Sequence, residues 1–173
     1  FLMRAAREAN IYARFREVFD RKIDEFPMAK AQLIDLTNTA KRTTATAFHI
    51  YHEYNRKNKS WEENFEIREL ILLQKIFASR DTVNTLRTAI SIFGGHGAIE
   101  DFSSIPRISR DAMVNELWEG PKNVLLAQVY RDLLRNKEKY SPTTLLSNIL
   151  SSYDTKTIQP LQDKLKELLN INL

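Results

Sequence analysis

Only four glycines and five prolines interrupt this 173-residue chain. Between them apolar residues recur at three- and four-residue intervals, the period of a helix with one buried face. Such long unbroken runs, with no strand-like alternation, predict an all-α fold. Leu2, Ala5, Ala9, Tyr12, Phe15, Phe19 and Ile23 form one stripe, so a first helix is expected to run to about Glu25 and stop before Pro27. A second is expected from about Met28 to Arg56, with Ala31, Ile34, Ala40, Ala47, Tyr51 and Tyr54 on its apolar side. Ser60, with Glu63 three residues on, has the spacing of a capping box and opens a third helix from Trp61 to about Phe93, which Gly94-Gly95 ends. A short helix over 110–118 and a fourth long one over 121–139, with Pro121 as its first helical residue, complete an up-and-down four-helix bundle over 1–139. Beyond it, Ser141-Pro142 is a fresh helix start. Two short helices, roughly 143–151 and 157–169, form a C-terminal helical extension over 140–173.

Composition narrows the chemistry. With 43% hydrophobic and 28% charged residues the chain reads as globular. No apolar run approaches the ~20 residues needed to span a bilayer and no signal peptide is apparent, so a cytoplasmic or mitochondrial-matrix location is expected. The absence of cysteine excludes disulfides, a thiolate nucleophile and any Cys-based zinc site. The net charge of +4 is a mild excess, with 22 acidic residues interleaved among 26 basic ones. That pattern disfavours nucleic acid and suits a phosphorylated small ligand. Residues 1–6 carry no N-cap and read as the middle of a helix, so the sequence is expected to continue upstream.

Few residues offer themselves for chemistry. Gly94-Gly95-His96-Gly97, at the end of a long helix, leaves backbone open to a phosphate or ribose, although a plain glycine C-cap would look the same. Glu119 stands beside Trp118 just before a Gly-Pro break, where an aromatic neighbour can hold a carboxyl group in an apolar pocket and make it a general base. A solvated glutamate at a helix end is the plainer reading. His49 and His52 share a helix face at i and i+3 but lack a third ligand, so no metal site is expected. No Gly-x-Ser-x-Gly elbow is present.

The order and spacing of four segments joins these features: Arg16-Glu17-Val18-Phe19-Asp20-Arg21, Gly94-Gly95-His96-Gly97, Pro106-Arg107-Ile108-Ser109-Arg110-Asp111, and Trp118-Glu119-Gly120-Pro121-Lys122-Asn123. Together they resemble the C-terminal domain of the acyl-CoA dehydrogenase family, most specifically from Ile92 to Arg131. The resemblance implies a helical bundle from an FAD-binding homodimer or homotetramer that oxidises an acyl-CoA thioester and passes electrons to an electron-transfer flavoprotein or similar acceptor. It implies that Arg16 and Phe19 contact the FAD of a neighbouring subunit, that Ser91 to Gly95 meet the same cofactor, and that Asn123 offers it an amide. It makes Glu119 the base that removes the α-proton and Gly120 its substrate-adjacent neighbour. Arg110-Asp111 is implied to be an ion-paired brace for the Glu-Gly turn. Three positions depart from the family pattern: Asp20 replaces a glycine, Ser91 a glutamine, and Pro121 a threonine or serine. A subset of the family carries its base upstream, on a segment before residue 1, and that alternative stays open. So do a dehydrogenase-like flavoprotein with a DNA- or protein-binding role and a purely oligomerising bundle.

Overall fold

The computed structural model describes residues 1–170. Seven helices make up the fold: α1 (Leu2–Phe15), α2 (Pro27–Asn55), α3 (Trp61–Phe93), α4 (Ile105–Leu117), α5 (Lys122–Asn136), α6 (Pro142–Ile149) and α7 (Thr155–Leu169). The all-α reading holds, with one small exception. Helix α1 stops ten residues before Glu25, because Arg16 turns extended and the chain makes a hairpin from β1 (Glu17–Val18) and β2 (Arg21–Lys22), pairing Glu17 with Lys22 and Val18 with Arg21. Phe19 and Asp20 form its two-residue turn, both at positive φ (51° and 58°). Two-residue hairpins favour that geometry because it matches the twist of the strands. Asp20, standing where the resembled family has glycine, is among the few side chains that tolerate it.

The long helix α3 is the axis. Ser60 caps it as the spacing predicts: its hydroxyl accepts from the Glu63 N–H (3.1 Å) and the Glu63 carboxylate accepts from the Ser60 N–H (2.7 Å). Around the C-terminal half of α3 pack α1, α2 and α4, and their main core holds Leu36, Leu86 and Ile105, each almost wholly removed from water. The short helix α4 thus begins five residues earlier than expected and belongs to the central core, with Ile108 and Ala112 beside Ile105. Helix α2 turns a different side inward from the one its apolar spacing indicates. Leu33, Leu36, Ala40 and Ile50 are buried, whereas Ala31, Ile34, Ala47, Tyr51 and Tyr54 face outward. The helix carries two apolar stripes one residue apart, and periodicity alone does not choose between them.

A second, smaller core lies at the other end of α3. Phe65 of α3, Leu133 of α5, and Tyr140 and Leu145 of the C-terminal segment cluster there, with Leu165 and Leu169 of α7 against them. The Tyr140 hydroxyl donates to Glu66 and receives a bond from Asn148, so burial and the Glu66 carboxylate push it up to about 12. Pro121 is the N-cap of α5, one position before the first helical residue. The predicted extension to 173 includes 171–173, which lie outside the described residues.

Candidate functional site

Four of the sequence-predicted residues come together. At the end of α1, Arg16 faces Ser91, Gly94 and Gly95 at the end of α3 across a cleft of about 530 Å³, also lined by Tyr12 and His96. Gly94, at φ 60°, ends α3, and its N–H bonds to the Ser91 carbonyl. A Cβ built on Gly94 or Gly95 would meet nothing within 4 Å, so this lip of the cleft is open backbone. Among the described residues no hydrogen bond or ion pair engages the Arg16 guanidinium, which leaves its planar fork of donors for an anionic ligand. The cleft wall is stiffened from below. Tyr12 Oη and His96 Nδ1 lie 2.8 Å apart, Tyr12 stacks on Phe93 and His96 on Phe102, each at 4.3 Å between ring centroids. His96 is half-buried and packs the wall of the cleft.

The third glycine of the loop does something else. A Cβ on Gly97 would sit 2.5 Å from the Ile90 carbonyl oxygen and 2.9 Å from its Cα, both backbone atoms that cannot swing away. Gly97→Ala is expected to lower stability by about 2 kcal/mol, the usual cost of overpacking, or roughly 4–8 °C in Tm for a chain of this size. Gly95→Ala is expected to leave Tm within about 1 °C, because its Cβ enters open space. Thermal unfolding of both variants checks the contrast.

The remaining sequence-predicted residues lie outside this cleft. Phe19 sits at the tip of the hairpin with 91% of its surface exposed. Glu119 and Gly120 form the kink between α4 and α5, at φ 54° and 109°, and Gly120 is the residue type that reaches such angles without steric cost. The Glu119 side chain is exposed and Trp118 is 63% exposed, so the apolar pocket expected from their adjacency is not closed within this chain. Asn123 is exposed in the first turn of α5. The Arg110–Asp111 brace is not formed. Arg110 instead pairs with Glu100 at 2.6 Å, tying α4 to the loop before it and holding the Glu100 carboxyl below its ordinary range.

What braces the Glu-Gly turn is a residue the sequence reading passed over. Lys75, midway along α3, donates through Nζ to the carbonyl oxygens of Gly120 (2.6 Å) and Glu116 (3.3 Å). No sequence pattern links a lysine to backbone carbonyls 41 and 45 residues later. Among the described residues no group of three or more His, Cys, Asp or Glu side chains could hold a metal, and no helix is long and apolar enough to cross a membrane.

Comparison with known proteins places the fold in a family. Residues 1–134 match the family described as acyl-CoA dehydrogenase, C-terminal domain. The Escherichia coli K12 protein named putative acyl-CoA dehydrogenase AidB is 25% identical over 173 residues, covering 96% of this chain and 31% of that protein. The apo-form of Bd2924 superimposes with a TM-score of 0.83 at 27% identity, over 95% of this chain and 33% of that one. Butyryl-CoA dehydrogenase from Megasphaera elsdenii shares the fold at a TM-score of 0.68 and 22% identity, over 78% of this chain and 33% of that one. The chain thus spans about a third of the length of these relatives.

Proposed function

Because the chain belongs to the acyl-CoA dehydrogenase family, as its C-terminal domain, we propose that it supplies one wall of a flavin site and the general base of an acyl-CoA dehydrogenase. The family is FAD-dependent. One observation carries the cofactor half of the reading: an unpaired arginine faces a helix end whose glycines leave the backbone open, across a single cleft. Those groups suit a pyrophosphate and its sugars. The Arg16 fork meets anionic oxygens, and a side chain at 94 or 95 would stand in the approach. Phe19 offers an uncovered ring beside that cleft, on a turn whose backbone is held in an uncommon conformation, and Asn123 an amide at the start of α5. Neither lines the cleft within this chain, which suits contact with a cofactor reaching over from a second subunit and fits a homodimer or homotetramer.

Bound FAD would supply the hydride acceptor for the β-hydrogen of the acyl group. This chain's share is acid–base. Glu119 removes the α-proton of the thioester onto its carboxylate, and Gly120, without a side chain, lets the thioester approach. The exposed faces of Trp118 and Leu117 are then available to be covered by other parts of the parent protein and to exclude water from the carboxylate. Electrons leave to an electron-transfer flavoprotein or similar acceptor.

The test uses the full-length parent. Anaerobic mixing with acyl-CoA is expected to bleach the flavin absorbance. Arg16→Met is expected to weaken FAD binding about 10- to 100-fold, the ~1.5–3 kcal/mol of a charge-assisted hydrogen bond, as read by fluorescence titration of the apoprotein. FAD affinity unchanged by this substitution would overturn the cofactor assignment.

A further inference from the structure

The turn that carries the proposed base is held from outside itself. Beyond the end of α4 and its cap Trp118 come two successive residues at positive φ, Glu119 at 54° and Gly120 at 109°. A non-glycine residue in that region is strained and persists only where its surroundings over-determine it. The last carbonyls of a helix also lack intrahelical donors. Lys75 answers both conditions. Its Nζ donates to the Glu116 oxygen in the last turn of α4 and to the Gly120 oxygen beyond the kink, so one ammonium group grips the chain on both sides of Glu119. A cation at a helix C-terminus also complements the macrodipole. Among the described residues no carboxylate pairs with Lys75, and the ammonium charge is directed wholly at backbone. Its stem lies along a largely apolar cavity of about 540 Å³ between α1, α2 and α3, beside Leu2, Ala47, Ile50 and Ile71.

We infer that Lys75 is a positioning residue for Glu119: it fixes the strained turn so that the carboxylate is presented in one orientation. The inference rests on Glu119 being the base, but the clamp itself can be read without turnover. Lys75→Met keeps most of the stem and removes the ammonium; Lys75→Arg restores a cationic donor.

The experiment compares both variants with the wild type in the full-length parent, by hydrogen exchange and by acyl-CoA-driven flavin reduction. In Lys75→Met the amides of residues 117–120 are expected to exchange about tenfold faster or more, while those in the buried parts of α1 and α3 keep their rates. Its kcat is expected to fall roughly 10- to 100-fold, the cost of a misplaced catalytic group, with KM for acyl-CoA and FAD content unchanged. Lys75→Arg is expected to recover most of both effects. Should Lys75→Met fail to fold, Lys75→Gln, which keeps one donor group, is read in its place. Unchanged exchange at 117–120, or faster exchange spread evenly over α1, α3 and α4, would overturn the inference, as would an unchanged kcat. Full turnover in Glu119→Gln would instead remove the base assignment, and the exchange result alone would then decide the clamp.

Discussion

In the full-length parent, Glu119→Gln is expected to slow acyl-CoA-driven flavin reduction about 10³-fold, within the usual range for loss of a general base. That corresponds to about 4 kcal/mol of barrier. Glutamine matches glutamate in shape and remains a hydrogen-bonding group, but it cannot take the α-proton. The side chain is exposed in this chain and makes no hydrogen bond or ion pair among the described residues, so Tm is expected to move by no more than about 1 °C. FAD content and acyl-CoA affinity are expected to stay near those of the wild type, which places the whole loss in the chemical step. Stopped-flow absorbance of the flavin band measures it. A variant that reduces its flavin at the wild-type rate would transfer the role to a base elsewhere in the parent protein.

The second large effect concerns stability and pH. Glu69, on α3, is 1% exposed. Its Oε1 accepts from Arg68 at 2.8 Å, Arg68 also binds Asp132 of α5 at 2.7 Å, and Glu69 Oε2 has no hydrogen-bond partner among the described residues. Burial pushes the Glu69 carboxyl from 4.5 up to about 7, with Arg68 opposing the rise and Asp132 adding to it. A folded-state value above the unfolded one means that the folded chain holds the proton more tightly. The associated stability is therefore fully present below about pH 4.5 and lost as pH rises through 7. At ~1.4 kcal/mol per pH unit, this window is worth on the order of 3 kcal/mol. Glu69→Gln, which never ionises, is expected to match the wild type near pH 4.5 and to exceed its Tm by roughly 6–12 °C at pH 8. Parallel Tm profiles for the two proteins across that range would show that Glu69 does not titrate as described.

Much of this architecture can be read from the residues, for local reasons. Ser60 and Glu63 are three apart, and their reciprocal bonds need nothing beyond that spacing. Gly94 and Gly95 end α3 where an unbroken apolar period meets residues that free the backbone. Where the reading failed, the deciding partner was distant or the local signal absent. The Phe19-Asp20 turn lacks the Asn-Gly or Asp-Gly pair that announces a two-residue hairpin, so the stripe of α1 seemed to run on through Phe15 and Phe19, both now largely exposed. Helix α2 offers two plausible apolar faces, and only its packing against α1 and α3 selects Leu33 and Leu36. Arg110 and Asp111 are neighbours, yet Arg110 reaches back to Glu100 because the intervening loop brings that carboxylate within range. For the site, family resemblance points to Arg16, Ser91, Gly94 and Gly95, and the fold brings these four to one cleft. The support given by Lys75 was not legible, since a side chain bonding backbone carbonyls leaves no mark in the partner's sequence.

Helix α3 is one unbroken rod of 33 residues, and it bears two attachments: Lys75 under the Glu119 turn, and the glycine lip of the Arg16 cleft at its end. Nineteen residues of helix separate them, about 28 Å at 1.5 Å per residue. The rod therefore works as a ruler with a fixed angular scale, because each residue also adds about 100° of rotation. A one-residue insertion between 75 and 94 would shift the lip by ~1.5 Å and swing it by ~100°, aiming the open backbone away from Arg16 without touching either attachment. The count of residues in this segment is thus as constrained as the core side chains, such as Leu86 and Phe93, that it carries.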